Sequence, residues 1–309
     1  MNIAFFGATS QIAKGLIKKF STDSQNKLFF FVRNCANFNS WLKTQEFYEF
    51  HKDAKLYSEF SNTYNIDVII NCIGIGDPAK AVNLSSSIQL TTNHFDEIIL
   101  EYLKYNPKTK YFFFSSGIAY GDIFSEPAKN YNQQNIDLNS KKPEDAYAIS
   151  KINAEKLHRS LSHLNIVDIR VFSYLSDEID INSKFFIADA IRAITQKEIL
   201  YTNNLNIIRD YVGIDDLYQL IAILIPINKL NVVVDAYSKQ PIDKLAILDF
   251  LNRAFNLKYK FQDTFMPLNA TGMKNNYYSN NFLAKDFGYK PDFTSLEVIE
   301  KVISKLLND

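Results

Sequence analysis

A tyrosine and a lysine four residues apart, Tyr147 and Lys151, are the strongest candidates for chemistry in this 309-residue chain. On a helix this spacing places both side chains on one face, one turn apart. A phenol ordinarily loses its proton near pH ~10, and a neighbouring ammonium favours the phenolate and lowers its pKa. A tyrosine tuned in this way can exchange a proton with a hydroxyl group near neutral pH. Ser116, about thirty positions upstream, could hold the same oxygen from the other side.

The same spacing occurs a second time, beginning at Tyr48, so spacing alone does not identify a site. The surrounding sequence separates the two pairs. Tyr147 opens a long amphipathic segment and follows a predicted strand that ends in paired serines, Ser115 and Ser116, whereas Tyr48 has no such strand before it. We therefore take Tyr147, together with Lys151 and Ser116, as the candidate catalytic set.

Composition indicates a globular chain with balanced charge. The 34 basic and 34 acidic residues cancel, and 47% hydrophobic residues can build a substantial core, so neither nucleic acid nor an anionic membrane is an expected partner. Cys35 and Cys72 lie far apart without metal-ligand neighbours, and we expect no metal site. His158 and His163 are expected on a helix surface. No basic leader or apolar run of ~18 residues is present, which favours a cytoplasmic protein.

Short apolar runs alternate with amphipathic segments over the first 172 residues, which predicts a doubly wound α/β fold with a parallel sheet covered on both faces. The predicted strands are 2–6, 27–32, 47–50, 67–73, 110–114 and 166–172, and the predicted helices are 12–20, 54–64, 85–105 and 144–164. Ligands bind such sheets at the carboxyl ends of the strands. Gly7, Arg33, Gly74 and Ser116 all fall at such ends.

The first predicted strand is followed at once by a tight turn that leads into a helix. This geometry presents free helix N–H groups to a phosphate. The dinucleotide-binding version of the turn has three small residues at intervals of three, which are Gly7, Ser10 and Ala13 here. The residues expected to contact a dinucleotide are Gly7, Thr9, Ser10, Gln11 and Ile12.

Arg33 ends the second predicted strand, where such folds read the ribose of adenosine. An acidic residue there accepts a hydrogen bond from a free 2′-hydroxyl, whereas a guanidinium can pair with a 2′-phosphate. Arg33 therefore favours NADP over NAD. An ordinary surface arginine, or one that stacks on adenine, would leave the choice open.

The pattern changes after residue 172 to shorter, mixed elements. Predicted helices cover 187–194, 215–225 and 241–255, the last with Pro241 in its first turn, and predicted strands cover 205–212 and 229–235. Thr294 and Glu297 have the spacing of a capping box that opens a final helix. We expect a dinucleotide-binding domain at 1–172, to which 206–236 returns, and a smaller mixed α/β substrate-binding cap from 173–205 and 237–309.

These motifs resemble the extended short-chain dehydrogenase/reductase family, in its nucleotide-sugar epimerase, dehydratase and reductase branch. The matching segments, in the family's order, are 7–13, 71–74, 115–121, 147–155, 208–212, 215–216 and 287–291. The resemblance implies a Rossmann-like fold, an NAD(P)-dependent enzyme of carbohydrate biosynthesis that acts on a small-molecule nucleotide sugar, and a homodimer formed through two helices per subunit. It also implies that Ser116, Tyr147 and Lys151 form the catalytic set.

Further ligand contacts follow from the same resemblance. The additional cofactor contacts are Asn71, Cys72, Ile73, Gly74, Asn93 and Ser115, with Tyr147 and Lys151, and the substrate contacts are Ser116, Ser173 and Arg209. Arg209 falls where relatives clamp the diphosphate of a nucleotide sugar, a task that suits a guanidinium. An ion pair with Asp210 or Asp215 is the alternative.

Two departures from the family pattern narrow the chemistry. The family's 4,6-dehydratases carry an Asp-Glu pair just after the catalytic Thr, and Gly117 and Ile118 stand there instead, so we do not expect dehydration. Ser173 replaces the Asn that touches the substrate diphosphate in relatives.

Three functions remain open at this point. Arg33 favours an NADP-dependent reductase of a nucleotide-linked 4-keto-(6-deoxy)sugar, with hydride from nicotinamide and a proton from Tyr147. The alternative is an NAD-dependent nucleotide-sugar 4-epimerase that uses the same residues. A minor alternative is a regulatory protein that binds the dinucleotide without turnover.

Overall fold

The computed structural model describes residues 1–50, 54–74, 85–121, 124–129, 143–262 and 274–308. The strands, in chain order, are β1 (Asn2–Phe6), β2 (Lys27–Val32), β3 (Lys55–Leu56), β4 (Val68–Asn71), β5 (Lys110–Ser116), β6 (Ile166–Val171), β7 (Ser173–Tyr174), β8 (Ile199–Thr202), β9 (Ile208–Arg209), β10 (Tyr211–Val212), β11 (Asn231–Ala236), β12 (Ile242–Asp243), β13 (Lys258–Phe261) and β14 (Asn276–Tyr277). The α-helices are α1 (Gln11–Phe20), α2 (Cys35–Leu42), α3 (Ser85–Tyr105), α4 (Pro143–Ser160), α5 (Phe186–Gln196), α6 (Ile214–Leu224), α7 (Lys244–Phe255) and α8 (Ser295–Asn308).

The central sheet has the order β11-β6-β5-β4-β1-β2-β3, and every neighbouring pair in it is parallel. The order reverses direction between β1 and β4, which are neighbours in space although two strands separate them along the chain. Open α/β sheets bind ligands at such a reversal, outside the carboxyl ends of the strands. The predicted doubly wound, Rossmann-like fold is confirmed.

Side chains alternate between the two faces of this sheet, and each face packs against its own helices. On one face, Phe5 packs with Leu16 of α1 and Leu220 of α6. On the other face, Phe6 packs with residues of α3 and α4, such as Leu103. Because each fully buried Leu or Phe side chain contributes roughly 1.5–3 kcal/mol, the two cores fix the helices relative to the strand ends.

A third core lies among α5, α7, α8 and β8. Its buried members include Ile191, Leu200, Leu251 and Ile303. These elements belong to the segments 173–205 and 237–309 that the sequence assigned to a cap, although the domain boundaries themselves stay a prediction. Across the described ranges, no helix combines the length and apolar character that crossing a bilayer requires.

The segment from 47 to 64 differs from its prediction. The expected strand at 47–50 contains a 3₁₀ turn at Tyr48–Phe50, and the expected helix at 54–64 is replaced by β3 and a second 3₁₀ turn at Tyr57–Glu59. Phe60 and Tyr64 instead pack edge-on against Phe31 of β2. Their spacing imitates a helical stripe, but these contacts hold the segment as an edge of the sheet.

Helix boundaries in the second half were predicted with mixed success. The expected start of a helix at Pro241 is wrong, because the Asp243 carboxylate caps α7 by accepting from the Ala246 amide at 2.9 Å. The predicted capping box of α8 is present. The Thr294 amide donates to Glu297 at 2.7 Å, and the Glu297 amide donates to the Thr294 hydroxyl at 3.3 Å.

Candidate active site

Gly7 forms the turn between β1 and α1 with a φ of 71°. A Cβ added at Gly7 would lie 2.9 Å from the carbonyl carbon of Cys72, so the turn packs directly on the backbone that follows β4. Ser10 caps α1, because its hydroxyl accepts from the Ala13 amide at 3.1 Å. The Ser10 amide in turn donates to the Gly7 carbonyl at 2.9 Å. The first turn of α1 therefore opens at the reversal point of the sheet, where a phosphate can accept from its N–H groups.

The other predicted contacts on this turn differ in position. Thr9 is exposed, and Ile12 is half-buried against the sheet core. The Gln11 amide donates toward the Ser176 carbonyl and hydroxyl, at 3.4 and 3.3 Å. Arg33 is exposed beyond the end of β2, where a ligand phosphate could reach it.

The predicted cofactor residues at the end of β4 and beyond it differ in how far solvent reaches them. Asn71 is buried, and its amide donates to the Tyr111 hydroxyl at 2.9 Å while its oxygen accepts from the Ile73 amide at 3.0 Å. The Asn71 side chain therefore holds the start of the loop that follows β4. Gly74 is exposed, and a Cβ there would meet Lys151 Nζ at 3.7 Å. Asn93 on α3 is half-buried.

The structure brings the three candidate catalytic side chains together. Ser116 ends β5, and its hydroxyl lies close enough to the phenol of Tyr147 on α4 to lower the pKa of that phenol. Lys151 lies one turn further along α4, with its Nζ 5.7 Å from the centroid of the Tyr147 ring. The same ammonium donates to the Phe114 carbonyl at 2.8 Å, which ties it to the strand that carries Ser116. The helical spacing thus has the predicted geometric effect, while the catalytic roles stay predictions.

Burial dominates the electrostatics of this trio. Lys151 is only 1% exposed, and burial lowers its pKa to about 8 although Asp96 and Glu155 act in the opposite direction. Burial also raises the pKa of Tyr147, the neighbouring phenol of Tyr277 adds to that rise, and the Ser116 hydroxyl acts against it. The expectation that Lys151 holds the Tyr147 pKa low is therefore not met, since desolvation of the phenolate outweighs the effect of the neighbouring ammonium.

Ser115, a predicted cofactor contact, is hydrogen-bonded within the protein. It is buried, and its hydroxyl donates to Glu155 at 2.5 Å. Arg170 completes a bidentate pair with the same carboxylate at 2.9 and 2.6 Å, and its guanidinium lies 4.2 Å from the centroid of Tyr120. This arrangement fastens the end of β5 to α4 and β6, and so fixes the backbone on which Ser116 sits.

His158 lies in the core between α3, α4 and the sheet, so its expected place on a helix surface is wrong. It is 0% exposed, and its Nδ1 lies 2.6 Å from Asp168 while its Nε2 lies 3.0 Å from Asp96. Burial would lower its pKa, but the two carboxylates raise the pKa of His158 to about 9. The Tyr111 hydroxyl donates to Asp96 at 2.7 Å and accepts from Asn71, so the network reaches the end of β4.

Arg209 and Ser173, the other predicted substrate contacts, lie on short strands of the second half. Arg209 is half-buried, and its Nη1 donates to the carbonyls of Ile208 and Lys274 at 2.8 and 2.7 Å. The alternative ion pairs do not form. Asp210 accepts from Ser238 and Ser295, and Asp215 pairs with Lys19 and Lys301. Ser173 is half-buried in β7, opposite Tyr211 of β10.

Tyr277 is a site residue that the sequence analysis missed. It is 6% exposed, and its hydroxyl lies 3.3 Å from Ser116 Oγ. Its ring packs against Phe124 and Phe172, with centroid distances of 4.9 and 5.1 Å. Tyr277 follows Tyr147 by about 130 residues and lies in no recognisable motif, so only the tertiary fold could reveal it. In the described part of the chain, no group of three or more His, Cys, Asp or Glu side chains has the arrangement of a metal site.

Comparison with known proteins gives one family match. The model of the NAD dependent epimerase/dehydratase family matches residues 3–233, about three quarters of the chain. No curated protein sequence matches.

Solved structures supply matches over nearly the full length. UDP-glucuronic acid 4-epimerase from Bacillus cereus, in complex with NAD and UDP-4-deoxy-4-fluoro-glucuronic acid, has a TM-score of 0.77 at 16% identity, with 99% of this chain and 100% of that chain covered. UDP-glucose 4-epimerase from Thermotoga maritima has a TM-score of 0.75 at 15% identity, with coverages of 100% and 99%. dTDP-glucose 4,6-dehydratase from Bacillus anthracis, in complex with NAD, has a TM-score of 0.75 at 14% identity, with coverages of 100% and 97%. At these identities the likeness shows the fold.

Proposed function

The chain belongs to the NAD dependent epimerase/dehydratase family, whose members are NAD(P)-dependent enzymes, and from this premise we propose that it is an NAD-dependent nucleotide-sugar 4-epimerase. The observation that carries the proposal is the meeting of Ser116, Tyr147 and Lys151 at the carboxyl edge of the sheet, beside the Gly7 turn. Gly117 and Ile118 hold no acid or base for water loss, which argues against a dehydratase.

The residues around the sheet reversal fit a dinucleotide. Gly7 keeps the first turn tight against Cys72, and α1 begins directly after it, so the first N–H groups of the helix can bind a pyrophosphate. The exposed backbone at Gly74 lies beside Lys151 Nζ and can lie against a flat ring or a ribose. NAD, when bound there, would accept a hydride from carbon 4 of the sugar and return it to the same carbon.

The protein's own side chains handle the proton. We infer that Tyr147, as the phenolate, takes the proton from the 4-hydroxyl and later returns it. Ser116 donates a hydrogen bond to the same sugar oxygen. Lys151, as the buried ammonium, offsets part of the cost that burial adds to the phenolate, which requires that it keep its proton at the working pH. After the first proton transfer the sugar must present its other face before Tyr147 gives the proton back.

A second candidate is the NADP-dependent reductase that the sequence first favoured. The observation behind it is Arg33, which is exposed beyond the end of β2 where it could pair with a 2′-phosphate. Several structural neighbours are 4-epimerases with bound NAD, and this supports the epimerase over the reductase. The preference for NADP that Arg33 suggests stays a proposal.

Two measurements on the purified protein separate these functions. The first identifies the dinucleotide released on denaturation, and we expect NAD rather than NADP. The second incubates the protein, with no added cofactor, with UDP-glucose, UDP-glucuronic acid and UDP-N-acetylglucosamine and follows the C4 epimers by NMR. Conversion of any of these three nucleotide sugars to its C4 epimer supports the epimerase. NADPH oxidation with a nucleotide-linked 4-keto-6-deoxyhexose, without C4 inversion, would overturn it in favour of the reductase.

A further inference from the structure

Tyr277 lies against the hydroxyl that the proposed mechanism uses. Its oxygen is 3.3 Å from Ser116 Oγ, and either of the two groups can be the donor. The aromatic neighbours of its ring, Phe124 and Phe172, would pack equally well against a phenylalanine. Packing therefore accounts for the ring of Tyr277 but not for its hydroxyl.

The hydrogen-bonding capacity of Ser116 limits what its neighbours can do. A serine hydroxyl has one proton to donate and two lone pairs that accept. The Ile118 amide, which can only donate, lies 3.4 Å from Ser116 Oγ and takes one lone pair. One proton and one lone pair then remain for two phenols, Tyr147 and Tyr277. The two phenols must therefore have opposite roles, so that one donates to Ser116 and the other accepts from it.

The proposed mechanism decides which phenol accepts. Tyr147 must become a phenolate, and a phenolate can only accept, so Tyr277 must be the donor to Ser116. The surroundings of Tyr277 suit a donor. Burial raises the pKa of Tyr277, which keeps its proton in place.

We propose that Tyr277 is a positioning residue that donates to Ser116 and thereby directs the single Ser116 proton into the site, to Tyr147 when no sugar is bound and to the sugar oxygen when one is. The proposal rests on the proposed function for its mechanistic meaning. Its physical content is a hydrogen-bond chain from Tyr277 through Ser116 to Tyr147, which stabilises the Tyr147 phenolate. No proton needs to leave Tyr277, so the residue acts through Ser116 and not as an acid or base itself.

Titration of Tyr147 tests the chain of hydrogen bonds without any turnover. The protein is labelled with ¹³Cζ-tyrosine and saturated with NAD, and the Tyr147 resonance is assigned by its loss in Tyr147→Phe. Between about pH 7 and pH 10 we expect Tyr277→Phe to raise the Tyr147 pKa by about half a unit or more, because Ser116 no longer has to point its proton at Tyr147. An unchanged pKa in Tyr277→Phe, or a wild-type Tyr147 that stays protonated over the whole range, would overturn the proposal.

Two further variants exclude a general effect of losing a phenol. Tyr211→Phe removes another buried hydroxyl from the same half of the protein and should leave the Tyr147 titration unchanged. Ser116→Ala removes the middle of the chain and should raise the Tyr147 pKa as well. The double variant Ser116→Ala/Tyr277→Phe should raise it no further, whereas additive shifts would show that Tyr277 acts independently of Ser116.

Turnover gives a second readout. With UDP-glucose as the probe, Tyr277→Phe should lower kcat about threefold or more near pH 7, in proportion to the rise in the Tyr147 pKa, while kcat recovers toward the wild-type value near pH 9 and KM stays within about twofold. A loss of the same size at every pH would indicate a structural defect and count against the positioning role. If wild-type protein turns over no nucleotide sugar, the epimerase proposal fails, and the Tyr147 titration still decides the role of Tyr277.

Discussion

Buried polar side chains stand directly behind the candidate catalytic residues. His158, Asp96 and Tyr111 form a network that ends at Asn71, and Glu155 with Arg170 holds Ser115. Each of these side chains has at least one polar partner inside the protein. Each fixes an element that carries a candidate site residue, and the loss of one partner would leave a buried charge or donor unsatisfied.

His158 gives the protein a predictable pH dependence of stability. Its pKa is raised from 6.5 to about 9, so the folded state binds this proton more tightly than the unfolded state does. The resulting stabilisation is fully present below pH ~6.5, amounts to about 3 kcal/mol, and is lost as the pH rises through about 9. Urea unfolding at several pH values should show the free energy of unfolding falling across this window.

Two histidine variants check the source of this dependence. His158→Gln should destabilise the protein, because the buried carboxylates of Asp96 and Asp168 lose a cationic partner. It should also remove the part of the decline that lies between pH ~6.5 and about 9, because the group that binds this proton is gone. His163 is exposed and lies between α4 and β6, so His163→Gln should leave the decline in the free energy of unfolding unchanged. If the free energy of unfolding of His158→Gln fell with pH as much as that of the wild type, another group would be responsible.

At the scale of elements, we expect the Gly7 turn to affect both the stability of the sheet and the proposed cofactor binding. Gly7→Ala combines a left-handed backbone conformation with a Cβ only 2.9 Å from the Cys72 backbone. We expect a loss of roughly 1–3 kcal/mol in the free energy of unfolding, together with loss of retained dinucleotide, as measured by urea unfolding and by analysis of the released nucleotide.

Gly288 supplies the matched control, because its φ of 94° is also positive but a Cβ there would have nothing within 4 Å. Gly288→Ala should therefore show only the cost of the backbone strain and keep its dinucleotide. If Gly7→Ala and Gly288→Ala lowered the free energy of unfolding equally, the close approach of Gly7 to Cys72 would have no energetic importance.

The local sequence predicted correctly those elements that have one strong hydrophobic pattern. The bounds of β1, β2 and α3 follow from apolar runs and from a long segment that ends before Pro107. The region 54–64 was mispredicted as a helix because Phe60 and Tyr64 are spaced like a helical stripe while they pack on Phe31. The start of α7 was misplaced because the Asp243 cap outweighs the preference of Pro241 for a first turn.

The same distinction holds in the candidate site. Gly7, Ser116, Tyr147 and Lys151 were found because motifs of fixed local spacing carry them. The sequence did not predict Tyr277 as a site residue or the internal hydrogen bonds of Asn71, because both depend on which strands become neighbours in the fold. The raised Tyr147 pKa was also missed, since burial is a property of the folded molecule.

At the scale of the whole molecule, the family resemblance implies a homodimer through two helices of each subunit. α3 and α4 pack side by side on one face of the sheet, and Leu157 of α4 is 44% exposed. We expect Leu157→Glu to convert a dimer into a monomer in light scattering after gel filtration, because a buried, unpaired carboxylate at the interface is costly. Leu307→Glu, at an equally exposed leucine of α8, should leave the dimer intact. A monomeric wild type would contradict the expectation.

The fate of a label on carbon 4 tests the proposed function most directly. UDP-glucose, UDP-glucuronic acid and UDP-N-acetylglucosamine, each carrying deuterium at carbon 4 of the sugar, are incubated with the protein and no added cofactor, and the products are read by NMR. The account predicts that the 4-epimer of at least one sugar forms with deuterium still on carbon 4, and that Tyr147→Phe forms it at least a hundredfold more slowly. An inverted product that has lost its deuterium to solvent, or no inversion of any of the three sugars, would contradict it.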